Sequence, residues 1–83
     1  MFTTYILKSD KLDTYYIGYT GDVSARIAKH NSGGSRWTRG GMPWKIVFTR
    51  DFVSKREAIK FERHLKKMKS RRIIELYISD IRR

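Results

Sequence analysis

Eighty-three residues allow one domain around one small core, with no room for a separate regulatory unit. Cysteine is absent, which excludes a disulfide framework and any Cys-based zinc site, and the two histidines, His30 and His64, lie far apart in sequence. Nineteen Lys and Arg against eight Asp and Glu give a formal net charge of +11, a field that favours polyanions, of which nucleic acid is the commonest in cells. Ribosomal association, an anionic membrane surface or a merely solvated face would also suit that charge. The basic residues are interleaved with Trp37, Trp44 and Tyr77 rather than gathered in a tail, which favours nucleic acid. Met1 to Tyr5 lacks the pattern of a signal peptide, and no stretch approaches the roughly 18 apolar residues of a membrane span. The expectation is a soluble, cytoplasmic protein with one domain over residues 1–83, its oligomeric state open and a monomer included.

Phe2 to Leu7 and Thr14 to Tyr19 are short runs rich in aromatic and β-branched residues, separated by the polar stretch Lys8 to Asp13. They predict two strands of a hairpin. Thr20 or Asp22 then caps a helix from Val23 to Asn31 whose apolar face is Val23, Ile27 and Ala28, and Asn31-Ser32-Gly33-Gly34 ends it. Ser32 to Pro43 is predicted as loop. Trp44 to Phe52 alternates Trp44, Ile46 and Phe48 against Lys45, Val47 and Thr49, predicting a third strand. Ser54 and Glu57 form a capping box for a helix from Ser54 to Met68, and Ser70 caps a last helix carrying Ile73, Ile74, Tyr77, Ile78 and Ile81. The order ββαβαα implies an α/β (α+β) fold, a small three-stranded, mostly antiparallel sheet flanked by three helices, with strand order undetermined.

Glu62 is the most telling candidate. It falls four residues after Ala58 and three before Leu65, inside the stripe Ala58, Phe61, Leu65, Met68, so it shares a packing face. A carboxylate there needs a partner, and a divalent cation or an arginine is the usual one. Arg26 and His30, four apart, emerge from one ridge at the edge of the first helix's buried face, although an exposed polar face would give the same pattern. Arginine is never a metal ligand, so this pair disfavours zinc. Tyr5 and Tyr16 on the hairpin read as packing when taken singly, and Gly18 as a bulge or a place of close approach. Together, Tyr5, Tyr16, Arg26 and Glu62 are the residue types that a metal-assisted phosphodiester hydrolase needs.

Tyr5, ten intervening residues, then Tyr16-Ile17-Gly18, Arg26, His30-Asn31, Gly33-Gly34, Thr38, Pro43-Trp44, Glu57-Ala58, Glu62 and Lys66 make a pattern that resembles the GIY-YIG endonuclease family over about residues 2 to 77. It is most similar to the small stand-alone bacterial members, related to the nuclease module of an excision repair enzyme. The first triplet departs from the family name, being Thr3-Thr4-Tyr5. The resemblance implies a divalent-metal-dependent DNA endonuclease, structure-selective and working in repair or recombination, with RNA as another possible partner. A weakly catalytic or non-catalytic nucleic-acid-binding module on the same fold is the alternative. It implies Glu62 as the ligand of one Mg²⁺ or Mn²⁺, Arg26 on the scissile phosphate, Tyr5 as base or relay, Tyr16 orienting water or phosphate, and His30 as a nearby proton acceptor or donor. Tyr5, with an ordinary pKa about 10, needs Arg26, the metal or His30 to depress it. Gly18 and Asn31 are expected beside the site. Candidates for the DNA track are Arg36, Trp37 and Arg39 in the loop, and Lys66, Lys67, Lys69, Arg71 and Arg72 around the junction of the last two helices.

Overall fold

The computed structural model describes residues 1–68 and 70–81. Its elements are β1 (Phe2–Ser9), β2 (Thr14–Thr20), α1 (Val23–Asn31), a 3-10 turn (Arg39–Gly41), β3 (Trp44–Phe52), α2 (Lys55–Met68) and α3 (Arg71–Ile81). The order is ββαβαα and the fold is α+β, with both strand pairings antiparallel. β1 is the central strand, in the order β2-β1-β3. Its four consecutive residues Thr4 to Leu7 are all buried, which only a strand covered on both faces can satisfy.

Alternation along β1 splits the interior in two. Ile6 packs with Ile17, Phe48, Leu65, Ile74 and Ile78 on the face that α2 and α3 cover. Tyr5 and Leu7 pack with Trp44, Tyr16, Ile27 and Met42 on the face towards α1. The alternation expected for β3 is broken at this point. Ile6 pairs with Phe48 but Leu7 with Ile46, so Val47 is an extra residue and the strand is bulged. Without the bulge Trp44 and Phe48, four apart, would share a face. With it, Val47 and Phe48 both serve the α2–α3 side, Trp44 serves the α1 side, and Ile46 is left 40% exposed.

α1 starts at Asp22, whose side chain accepts from the Ala25 N–H at 3.0 Å. Its buried ridge differs from the expected one. Ala28 is exposed, and His30, 1% exposed, completes the i, i+4, i+7 row begun by Val23 and Ile27. A polar ring thus takes a position that the apolar pattern assigns to an aliphatic side chain. Ser54 Oγ accepts from the Glu57 N–H at the start of α2, as its cap. Among the described residues no helix is long and apolar enough to cross a membrane.

Asn31 fastens the end of α1 to the start of β3. Its Nδ2 donates to the Trp44 carbonyl at 3.0 Å while its Oδ1 accepts from the Trp44 N–H at 2.6 Å. The side chain therefore does for Trp44 what a neighbouring strand would. Asn31→Ala is expected to cost about 1–2 kcal/mol, because it leaves two part-buried backbone groups to find water. Urea unfolding checks this; a change below about 0.3 kcal/mol would show that solvent replaces both bonds freely.

Candidate active site

Register places Tyr5 opposite Gly18. A Cβ at residue 18 would stand 2.6 Å from the Tyr5 hydroxyl oxygen and 2.8 Å from its Cζ, so the Tyr5 ring lies across β2 only because residue 18 has no side chain. Tyr16, two residues earlier, shares that face, its ring 6.5 Å from Tyr5 and 5.0 Å from His30. Beside them opens a cleft of about 430 Å³ lined by Tyr5, Tyr16, Gly18, Tyr19, Arg26, Lys55 and Glu62. The structure thus brings Tyr5, Tyr16, Arg26 and Glu62, supplied by β1, β2, α1 and α2, to one wall-to-wall site. Gly→Ala at residue 18 is expected to lower stability by about 1–3 kcal/mol through overpacking and to displace the Tyr5 ring. Urea unfolding together with NMR contacts between the Tyr5 and His30 rings reads both effects, and neither changing would mean that the ring does not cross β2.

His30 lies behind Tyr5. Its ring is held at both nitrogens, Nε2 at 3.2 Å from the Tyr5 hydroxyl and Nδ1 at 2.7 Å from Thr38 Oγ1. Thr38 is itself buried and directs its hydroxyl proton towards the Ser35 carbonyl at 3.4 Å, so its oxygen is left to accept. The hydrogen-bond network therefore assigns the proton of the neutral ring to Nδ1, and Tyr5 O–H donates to a bare Nε2. Burial pushes the His30 pKa down, and the nearby Arg26 and Lys29 add to that shift. The Tyr5 phenol is pushed up to about 12, chiefly by burial and then by Tyr16 and Glu62; Arg26 pulls the other way and loses. Of the groups named as able to depress Tyr5, Arg26 does act in that direction, but burial outweighs it.

The His30 shift has a definite sign in stability. Below its ordinary value of 6.5 the unfolded chain takes up a proton that the native ring refuses until lower pH, so stability falls as pH drops from about 6.5 towards the native pKa. Thermal melts between pH 8 and pH 5 should show this loss, and His30→Gln should flatten it over the same window. An equally steep decline in His30→Gln would assign the effect to other groups.

Glu62 is the carboxylate of the cleft, its side chain 13% exposed. The sequence left a cation or an arginine open as its partner; the structure shows Lys66 at i+4, with Nζ 3.5 Å away and a side chain 53% exposed. Such a loose, half-solvated pair is readily displaced. Among the described residues no three His, Asp or Glu side chains gather as a metal site. That does not fit a zinc cage. One carboxylate in a cleft with room for phosphate and water does fit Mg²⁺ or Mn²⁺, which take few carboxylates and keep several waters.

The remaining expected residues are more scattered. Arg36, Trp37 and Arg39 are exposed in the loop between α1 and β3, Trp37 at 88%, with Arg39 Nε donating to the Gly33 carbonyl. Lys67 and Arg72 are exposed on α2 and α3. Lys66 is paired with Glu62. Arg71 forks onto Asp13 in the hairpin turn, at 2.7 Å and 3.3 Å to the two carboxylate oxygens, and so ties α3 to the β1–β2 connection. Lys69 lies outside the described residues. Two residues of the site had no role assigned from sequence. Lys55 lines the cleft from the first turn of α2, and only its basic charge hinted at this. Thr38 holds His30, a role with no local sequence signal because it depends on how the loop folds over α1.

The arrangement defines a class: an α+β domain with two tyrosines, an arginine and one carboxylate around a basic cleft. A family model described as the GIY-YIG catalytic domain matches residues 1–75. The chain is 43% identical over 76 residues to the UPF0213 protein BH0048 of Halalkalibacterium halodurans, covering 87% of this chain and 80% of that one. It is 38% identical over 79 residues to the UPF0213 protein YazA of Bacillus subtilis, covering 94% and 78%. A UPF0213 protein of Streptococcus pneumoniae is 47% identical over 57 residues, covering 68% of this chain and 58% of its own length. The solution NMR structure of BH0048, from Bacillus halodurans, superposes with a TM-score of 0.59 over 95% of this chain and 84% of that one. The chain belongs to the GIY-YIG family, as one of its small members similar to the UPF0213 proteins, and that family supports a function of the nuclease type. Its departure at Thr3 and Thr4 lies away from the cleft: Thr4 Oγ1 donates to the Ala58 carbonyl at 2.8 Å inside the core, and Thr3 Oγ1 to Asp51 at 2.7 Å.

Proposed function

We propose that the protein is a divalent-metal-dependent DNA endonuclease that hydrolyses phosphodiester bonds and selects substrates by DNA structure, in repair or recombination. The observation that carries this reading is the convergence of Tyr5, Tyr16, Arg26 and Glu62 on one cleft. Hydrolysis requires an activated water in line with the leaving oxygen and neutralisation of charge on the phosphoryl group. Arg26, exposed on α1 with its side chain in the cleft wall, is placed to fork across two phosphate oxygens. Lys55, which also lines the cleft, adds a second positive charge.

Water activation falls to Tyr5. A phenol with a pKa of about 12 is not ionised at neutral pH, so Tyr5 works as a relay. It accepts the proton of the attacking water while its own proton passes along the existing hydrogen bond to His30 Nε2. His30 is ready for this because it is neutral, and Thr38 keeps the receiving nitrogen bare. Tyr16 flanks Tyr5 and orients the water or the phosphate. Glu62 would hold one Mg²⁺ or Mn²⁺, which when bound supplies further charge neutralisation for the phosphoryl oxygens.

Incubation with plasmid, nicked, branched and single-stranded DNA, with and without Mg²⁺ or Mn²⁺, tests the activity. Glu62→Gln should abolish cleavage and leave DNA binding unchanged or slightly tighter, since it removes the metal ligand and no cation. Arg26→Ala should slow cleavage by about a hundredfold or more, with poor rescue by Arg26→Lys. Wild-type cleavage by Glu62→Gln in Mg²⁺ would refute the metal assignment and leave Glu62 as the partner of Lys66.

A further inference from the structure

Several cations among the described residues are engaged with a neighbouring side chain. Lys8 and Arg71 are bound to Asp13, Lys45 to Asp10 and Lys66 to Glu62, while the Arg50 guanidinium lies 4.6 Å from the centre of the Phe61 ring. These have partners within the fold. Arg56, Lys60, Arg63 and Lys67 do not: all four are exposed, and none has an ion pair among the described residues.

Their spacing is 4, 3 and 4 residues along α2. At about 100° per residue they fall within an arc of roughly 60°, on the side of the helix opposite the buried Ala58 and Leu65. With a rise of about 1.5 Å per residue, the row is roughly 16 Å long. Four uncompensated charges so close together repel one another, and nothing in the core calls for them there. Beside the row runs a groove of about 570 Å³ lined by Lys55, Arg56, Ile59, Lys60 and Arg63. Lys55 also lines the cleft that holds Glu62 and Arg26, so groove and cleft adjoin at one side chain.

We infer that the outer face of α2 is the track for the sugar-phosphate backbone of duplex DNA, with Arg56, Lys60, Arg63 and Lys67 each facing a phosphate and Lys55 handing the strand into the cleft. The match is one of charge and pitch. Along the duplex axis a phosphate of one strand recurs about every 3.4 Å while the strand winds round that axis, so a straight row of about 16 Å spans the rise of several phosphates and faces those on the near side. Because the same helix carries Glu62 on its flank, contact with the outer face would fix the position of the carboxylate relative to the strand. This rests on the nuclease reading for its substrate, and it moves the main track away from Arg71.

The test is duplex binding, measured by fluorescence anisotropy as a function of salt, in the Glu62→Gln background so that no strand is cut. Changing Arg56, Lys60, Arg63 and Lys67 together to Gln should lower the salt slope by about 3 and weaken binding at least tenfold near physiological salt, from a contribution of roughly 0.9 per phosphate contact. The exposed positions and the helix-forming tendency of glutamine leave the fold intact, which circular dichroism verifies. Lys11→Gln with Lys29→Gln is the charge control for the double variant Lys60→Gln with Arg63→Gln, and should change the slope by less than half as much. An unchanged slope in the fourfold variant, or equal losses in the two doubles, overturns the track while leaving cleavage by the wild type unaffected. Binding by this face to anionic lipid vesicles but not to duplex overturns it as well. Duplex binding through the row with no cleavage in Mg²⁺ or Mn²⁺ upholds the track and contradicts the nuclease reading instead.

Discussion

The buried hydrogen-bonded chain Tyr5–His30–Thr38 is the constraint on which the site depends. A histidine that is 1% exposed is tolerable only if both ring nitrogens have partners, and here they do. The same two bonds decide its chemistry. Thr38 orders the proton onto Nδ1, which leaves Nε2 to receive from Tyr5, and burial keeps the ring neutral so that it can receive. Trp44 extends the chain, since its indole Nε1 donates to the Thr38 carbonyl at 2.6 Å and its backbone is held by Asn31. The loop, the end of α1 and the start of β3 are thereby locked around one imidazole.

The sheet explains why that lock reaches the cleft. β1 lies in the middle, and its alternate side chains serve two different interiors, Ile6 towards α2 and α3 and Tyr5 towards α1. A bulge at Val47 lets β3 do likewise, sending Phe48 to one side and Trp44 to the other. Gly18 then opens β2 enough for the Tyr5 ring to cross it, and Glu62 enters from α2, whose buried Ala58 and Leu65 fix its rotation. The catalytic candidates come from four elements, with Arg26 and His30 sharing α1. The cleft is therefore a product of the whole fold, and local changes in strand register would dismantle it.

Much of this was legible in the residues themselves. Periodicity and caps marked all six main elements, since Ser54, Asp22 and Ser70 do act at the helix starts where their types belong. Glu62 stood out because a carboxylate within an apolar stripe is anomalous, and Tyr5, Gly18 and Tyr16 through their spacing. What escaped was anything created by tertiary contact. His30 replaced Ala28 on the buried ridge because Thr38 and Tyr5 satisfy it, and neither is near it in sequence. The bulge at Val47 left no mark, since Ile46, Val47 and Phe48 are all apolar. The tie of Arg71 to Asp13 left no local mark either, because the two are 58 residues apart.

The charge of +11 also acquires structure. Part of it ties the hairpin turn to α3 through Asp13, and part stands along the outer face of α2 with no ion pair among the described residues. The cleavage proposed for the cleft depends on a Tyr5 that can pass a proton inward along its hydrogen bond to His30, and that can be tested without any substrate. In protein labelled with ¹⁵N at histidine, NMR shifts of the two His30 ring nitrogens between pH 6 and 8 report where the proton sits. The relay requires the neutral ring to carry its proton on Nδ1 and to leave Nε2 bare, with the Nε2 resonance shifting when Tyr5 is replaced by Phe. A ring protonated at Nε2, or an imidazolium near pH 7, would contradict it.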